Sequence, residues 1–539
     1  MSDLEQSPVQ PARHHPNLDH KITPWLDEAI WGHRLWDSQS AWLVFLEFLT
    51  VAEACHADGN LLQPGAPYPL TFRPAQRLYL RNILFNSEDA MRVAAEHGDE
   101  RASWEAWTRR MEEQARGVPT RDFSYLRPRF HSFREFAEIV RLLQGAVVER
   151  DRNKRWSSRF VFPFGPDALY EDVNVHESSN SASREYINFG RTGELLYLMM
   201  CRSARRGDLV DGVRGIVAAD NRWNRIVATL QPAAPGDRPP RGKSFLPYAE
   251  HPSFDLLTED WIALLGLGLP GFDAYPHLAA VSSLHLVLYQ LRTSAAWAEG
   301  WFPGRPAAAW PLLPLVCEII APRKTLVREL SLGSYARNDA LSTRAVERFI
   351  AQIRSVPAWR DAASRADGFE ECRALLQEWV WWGKPTDYTG PNDPDKMIEE
   401  FRTVALKRHR QHVAQFHRSL GRDIGLVSRR GTTRFRYAPT DQLLKTLLLA
   451  NVSSRMELGE FLARLYERYG LVIGEREAER VLPPEDFDKK AFQSNARRLE
   501  ERLGSLGLLR RLSDACAYVI NPYTATASAP AAAAGAPFV

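Results

Sequence analysis

The sequence predicts a mainly α, multidomain chain that ends in a C-terminal winged-helix (α+β) module, and three observations predict it. Apolar residues recur at three-and-four spacing along most of the chain. Two stretches dense in proline and glycine divide it. The last structured part, roughly Pro439 to Tyr523, orders its signals as helix, helix, helix and then a short β-ribbon.

At 539 residues the chain is too long for a single core. A mobile N-terminal tail is expected over 1–20, where the residues are polar and proline-bearing. A mainly helical domain with some strand near Phe160 to Val175 follows over 21–230, then a linker over 231–252 that carries Pro239-Pro240-Arg241-Gly242. A helical middle domain over 253–382 ends at a second seam, Gly383 to Pro394. A basic helix, a hairpin and the winged helix fill 395–523, and an Ala/Pro-rich tail over 524–539 is expected to be disordered.

Composition bounds the function. Apolar residues make up 45% and charged residues 25%, as in an ordinary globular protein, and the net charge is only +3, so any basic character is local. Cys55, Cys201, Cys317, Cys372 and Cys516 are scattered and form neither a zinc pair nor a disulfide framework, which suits a reducing cytoplasm. No signal peptide is visible. The apolar stretches Trp261 to Phe272, Leu278 to Leu291 and Ala307 to Ala321 are short or interrupted, so no membrane span is expected. Tryptophans gather at Trp25, Trp31, Trp36 and Trp42 and again at Trp379, Trp381 and Trp382, where cores or subunit contacts are expected.

In chain order, the first stretch with chemical character is Asp172 to Arg205. Gly190-Arg191-Thr192-Gly193-Glu194 opens an apolar helix, Leu195 to Met200. Exposed amides at that helix start, with Arg184, Arg191 and Thr192 beside them, are a candidate anion site. The competing reading is a glycine turn between packed helices, because the spacing fits neither the P-loop nor the dinucleotide fingerprint. Asp172, Glu177, Glu185 and Glu194 would have to converge on a divalent metal to make a nuclease, and spacing alone does not bring them together.

The segment Arg402 to Arg436 carries Lys407, Arg408, Arg410, Arg418, Arg422, Arg429, Arg430 and Arg434 against one carboxylate, Asp423. Such a run attracts a polyanion through counterion release. Its helix is expected to be capped by Asp395 and to bury Ile398, Phe401, Ala405, His409, His412, Phe416 and Leu420. Metal binding by His409, His412 and His417 lacks a third ligand of another kind nearby, so buried, hydrogen-bonded histidines are the better reading and no metal or cofactor is expected. Ile424 to Val427 should pair with Arg434 to Tyr437, with Arg429-Arg430-Gly431 at the turn.

The terminal module follows. Thr440 caps a helix with Leu443, Leu444, Leu447 and Leu448 on one stripe. Ser454 and Glu457 form a capping box for a helix burying Leu458, Phe461, Leu462, Leu465 and Tyr469, stopped by Gly470. After Leu471 to Ile473 comes a small helix around Glu477 to Val481, ended by Pro483 and Pro484. A longer helix begins near Asp488, with Phe492, Ala496, Leu499, Leu503 and Leu506 inward. Lys489, Lys490, Gln493, Asn495, Arg497, Arg498 and Arg502 are expected outward, where phosphates and base edges could be met. Leu508 to Leu512 and Cys516 to Ile520 flank a Ser513-Asp514 turn carrying Arg510 and Arg511. From Thr440 to Tyr523 acids and bases are equal in number, so the module is no basic body.

Three blocks carry a resemblance: Arg429-Arg430-Gly431 through Arg436-Tyr437, Leu465-Tyr466-Glu467-Arg468-Tyr469-Gly470, and Ser513-Asp514-Ala515-Cys516-Ala517-Tyr518. With the Gly190 block, they resemble the C-terminal part of proteins in bacterial multi-gene anti-phage systems, particularly the methylation-associated defence type. The resemblance implies a component of a restriction-like assembly acting on foreign DNA, alongside other subunits, and transfers no catalytic residue. The expectation is a cytoplasmic, DNA-binding accessory component of such a complex, its backbone contacts made by Lys407, Arg408, Arg410, Arg429, Arg430, Arg434, Lys489, Lys490, Arg497, Arg498, Arg510 and Arg511. A metal-dependent effector nuclease near 172–194 and a protein-docking adaptor are the alternatives.

Overall fold

The structure is a computed structural model that describes residues 23–32, 35, 40–65, 74–96, 99–118, 120–145, 147–148, 160–161, 165–168, 173–176, 181–184, 191–218, 222–232, 246–300, 310–430, 433–512 and 516–523. The tails expected over 1–20 and 524–539 and the Ser513-Asp514 turn lie outside these residues. The chain divides into two compact units, and both are mainly helical. One comprises Trp42–Tyr197 with Val210–Lys243, and the other Met1–Ala41, Leu198–Leu209 and Ser244–Val539.

The unit that begins at Trp42 is organised by aromatic packing. Asp99 caps the Glu100–Gln114 helix by accepting the Ala102 amide at 2.9 Å. That helix presents Trp104 and Trp107, which meet Phe136 at ring distances of 5.0 and 4.8 Å. Short hairpins Val147–Val148 with Phe160–Val161, and Val173–His176 with Ser181–Arg184, supply the strand expected near Phe160 to Val175.

The other unit forms around the Gly271–Ala298 helix, which is buried almost all round. Its apolar residues pack as such a helix must, and several of its polar ones are hydrogen-bonded to other elements. Ser282 accepts from Trp261 Nε1 at 2.9 Å, His285 Nε2 lies 2.7 Å from Asp260, and Gln290 donates to the Val413 carbonyl at 2.7 Å. Residues 253–382 and 395–523 both lie in this unit. Among the described residues no helix is long and apolar enough to cross a membrane.

Two expectations about the basic helix need correction. Asp393, not Asp395, is the cap: its carboxylate accepts the amides of Asp395 and Lys396, and Pro394 occupies the first turn, where its missing N–H costs nothing. The helix is also not continuous. It ends at Gln411, His412 leaves helical geometry at φ −131°, and a second helix runs Val413–Asp423. The hairpin forms as expected in a shorter form, Val427 opposite Tyr437 and Ser428 opposite Arg436.

In the terminal segment Thr440 caps Asp441–Asn451 and Asp488 caps Lys489–Ser505, each as its sequence indicates. Gly470 stops Leu458–Tyr469 at φ +78°, and a Cβ there would meet the Leu313 carbonyl at 2.1 Å. The Ser454–Glu457 capping box does not form. Arg455–Glu457 is instead a strand with Met456 inward, and the helix starts at Leu458. The reason is long-range pairing: Arg455–Glu457 joins Ala517–Ile520, which also pairs with Leu509–Arg511, so that Ala517–Ile520 is the centre of a three-stranded antiparallel sheet. Leu471–Val472 runs parallel to Leu315–Val316, and Val316, Val472, Ala478 and Phe492 share one cluster with Val327. Leu506, expected inward, is exposed.

Candidate nucleic-acid interface

The basic segment sorts into side chains that are anchored and side chains that project. Arg408 is anchored. Its guanidinium meets Glu28 at 2.5 Å and the Pro24 carbonyl, and the Glu28 carboxylate is buried, so this arginine closes the Asp27–Trp31 helix onto the basic helix. Burial works against its charge while Glu28 and Asp27 more than compensate, leaving its pKa raised. His409 is likewise structural: Nδ1 lies 2.9 Å from Asp27 and Nε2 3.2 Å from Ser342, with the ring stacked on Trp31. His417 is buried with Nε2 3.2 Å from the Tyr437 hydroxyl, as a hydrogen-bonded core histidine should be, while His412 at the break is only half-buried. Lys407 and Arg410 are exposed.

On the hairpin the geometry differs. Arg429 and Arg430 are exposed beyond the last hairpin pair, and Arg434 is exposed on the returning chain. Phe435, half-buried, has the guanidinium carbons of Arg418, Arg422 and Arg429 at 5.5, 5.9 and 5.7 Å from its ring centre. Among the described residues no carboxylate lies within ion-pair distance of these three. Arg436 fixes the ribbon beneath them: it is buried, its Nε donates to the buried Glu318, and Nη1 donates to the Arg430 carbonyl at 3.0 Å. The convergence on Phe435 was not anticipated from sequence, although alternation of Arg and Phe at 434–436 was there to suggest it.

The Lys489–Ser505 helix projects Lys489, Lys490, Gln493 and Arg497. Asn495 and Arg498, expected outward, face inward. Asn495 is fully buried, donating to the carbonyls of Cys317 and Ile473 at 3.0 Å each and accepting the Ile319 amide at 2.8 Å. Arg498 donates to the Ile319 carbonyl at 3.1 Å, and burial lowers its pKa. Arg502 pairs with Asp441 at 2.7 Å. Arg510 and Arg511 are exposed on the ribbon, the latter 3.6 Å from Glu500.

Between this helix, the ribbon and the Glu475–Val481 helix lies a cavity of about 450 Å³. Glu457, Glu475, Glu477 and Glu500 line it together with Arg476, Arg497 and Arg511, so its wall is of mixed sign. Burial pushes the Glu477 carboxyl up, partly offset by the backbone amides of Glu477 and Gly474.

The anion candidate belongs to the Trp42 unit. Thr192 and Glu194 are fully buried there, while the side chains of Arg184 and Arg191 lie outside the described residues, as do Asp172, Glu177 and Glu185. The start of the Arg191–Arg202 helix already meets a carboxylate of its own unit: Glu47 accepts the Gly193 amide at 3.1 Å, and a Cβ on Gly193 would strike Glu47 at 2.3 Å. Gly193 is thus explained by packing. Among the described residues no group of three or more metal-ligating side chains gathers.

Comparison with curated proteins and with solved structures finds no match. Residues 384–522, which hold the basic helices, the hairpin, the Lys489 helix and the three-stranded sheet, match the family model described as Methylation-associated defense system protein MAD7, and on that match the chain is a component of a methylation-associated defence system.

Proposed function

We propose that this chain is a DNA-binding accessory component of the defence assembly, gripping backbone phosphates through its arginine hairpin, with the segment Asp441 to Ile520 acting as a winged helix beside it. The observation that carries the reading is the set Arg418, Arg422 and Arg429 on Phe435, three cations with no carboxylate at ion-pair distance among the described residues. Unneutralised guanidiniums held in place are what a phosphate backbone requires. The winged-helix reading draws support from the order helix, strand, helix, short strand, small helix, longer helix and ribbon, and from the central position of the last strand. Lys407, Arg410, Arg430, Arg434, Lys489, Lys490, Arg497, Arg510 and Arg511 extend the contact surface, whereas Arg408 and Arg498 serve the fold. Filter binding of the full chain to duplex DNA at low salt tests the reading: retention that Arg429→Ala with Arg430→Ala weakens supports it, and no retention removes it.

A second reading has its own observation. The cavity beside Arg497 carries four glutamates against three arginines, a wall better suited to a protein surface than to DNA. On this reading the terminal module docks another subunit while the hairpin alone meets DNA. Co-purification of a partner subunit that Glu500→Lys disrupts, with DNA retention unchanged, would support that division.

A further inference from the structure

Phe435 is the meeting point of three guanidiniums. The three guanidiniums reach it from two elements, Arg418 and Arg422 from the Val413–Asp423 helix and Arg429 from the hairpin turn. Arg418 is further held by Gln415, and Phe435 sits next to Arg436, whose link to Glu318 pins the strand. Tyr335 also meets Phe435, with ring centres 5.7 Å apart. Tyr335 directs its hydroxyl at Asp339 at 3.0 Å, and His417 Nδ1 lies 3.3 Å from the same carboxylate. Asp339 thus meets Tyr335 and His417, and among the described residues it forms no ion pair with Arg418, Arg422 or Arg429.

A guanidinium resting on an aromatic ring is restrained without using its N–H edges, which stay available to acceptor oxygens. Three such forks around one ring, with one N–H of Arg418 already given to Gln415, bring together three positive charges where a phosphodiester inside a strand carries a single negative one. A phosphate monoester presents three terminal oxygens and close to two negative charges near neutral pH. We propose that Arg418, Arg422 and Arg429, gathered on Phe435, form a site for a terminal phosphate monoester, the 5′ end of a nucleic-acid strand. This rests on the reading that the hairpin meets nucleic acid, and it adds which part of the nucleic acid is held.

The test uses the full chain and a short duplex labelled at a 3′ end, carrying either 5′-phosphate or 5′-hydroxyl, followed by fluorescence anisotropy at fixed salt. Binding about tenfold tighter to the phosphorylated duplex is expected, with the preference lost in Arg422→Gln or Arg429→Gln. Equal affinity for both ends overturns the proposal and leaves the DNA reading standing. Failure to bind either duplex overturns the DNA reading and the proposal with it. Calorimetric titration with inorganic phosphate separates the sources of the ligand. Heat that Arg422→Gln abolishes, together with equal affinity for the two ends, assigns free phosphate as the ligand and overturns the strand-end proposal.

Discussion

Asn495 accepts the amide hydrogen of Ile319 at 2.8 Å, a bond between positions 176 residues apart. Its amide group also donates to the carbonyls of Cys317 and Ile473, so one side chain ties two distant segments to the Lys489 helix. Replacing it by leucine keeps the branched outline of the side chain and leaves buried backbone groups unpaired, at a cost of about 3 kcal/mol or more. Urea denaturation of Asn495→Leu should show that loss. A variant as stable as the parent would contradict the anchoring role.

Arg497 and Arg498 are neighbours in opposite settings, the first exposed and the second bonded to the Ile319 carbonyl. Arg497→Ala should weaken DNA retention and leave the melting temperature unchanged, because its side chain is exposed. Arg498→Ala should lower stability by about 1 kcal/mol through the lost bond to Ile319, and leave DNA retention of the folded protein unchanged. Paired melting and binding measurements check both, and an exchange of the two phenotypes would refute the assignment.

Glu28→Ala leaves Arg408 half-stranded in a buried setting, which costs about 3 kcal/mol. Its salt dependence of DNA binding should match the parent, since Arg408 faces the Asp27–Trp31 helix and not solvent. Chemical denaturation and binding at two salt concentrations give the answer, and a steeper salt dependence would place Arg408 within reach of the DNA after all.

His277 is buried with Nδ1 2.6 Å from Thr446 Oγ1, and burial, with Lys445 adding, pushes its pKa down to about 4. The folded state thus takes up the proton less readily than the unfolded chain, whose histidine titrates near 6.5. The stabilisation is complete above about pH 6.5 and falls away as pH drops toward 4, with about 2 kcal/mol gone by pH 5. His251 and His285 are shifted in the same sense, each chiefly by burial. Denaturation curves at pH 7 and pH 5 should converge more closely for His277→Gln than for the parent, and parallel pH losses would exclude His277 as a contributor.

What the sequence made legible was local. Thr440, Asp488 and Gly470 act within one turn of themselves, and their caps and stop are where the residue types place them. The hairpin, too, reads from neighbouring residues. Features decided by distant partners did not read. Ser454 and Glu457 have the spacing of a capping box, yet the pairing of Arg455–Glu457 with Ala517–Ile520 outweighs it. Asn495 has the polarity of a surface residue, and only three backbone partners from elsewhere in the chain explain its burial. Arg408 resembles its neighbours until Glu28, 380 residues away, is brought against it. At the candidate site, the run of arginines was visible in the sequence, but which of them share Phe435 is a product of folding.

If the arginines on Phe435 neutralise DNA phosphates, the slope of binding affinity against salt concentration depends on them. For the full chain on duplex DNA, the logarithm of affinity should fall steeply with the logarithm of salt concentration. Replacing Arg422 and Arg429 together by glutamine should make that slope shallower by about 0.9 for each phosphate contact removed. An unchanged slope in the double variant, or no binding even at low salt, would contradict the account.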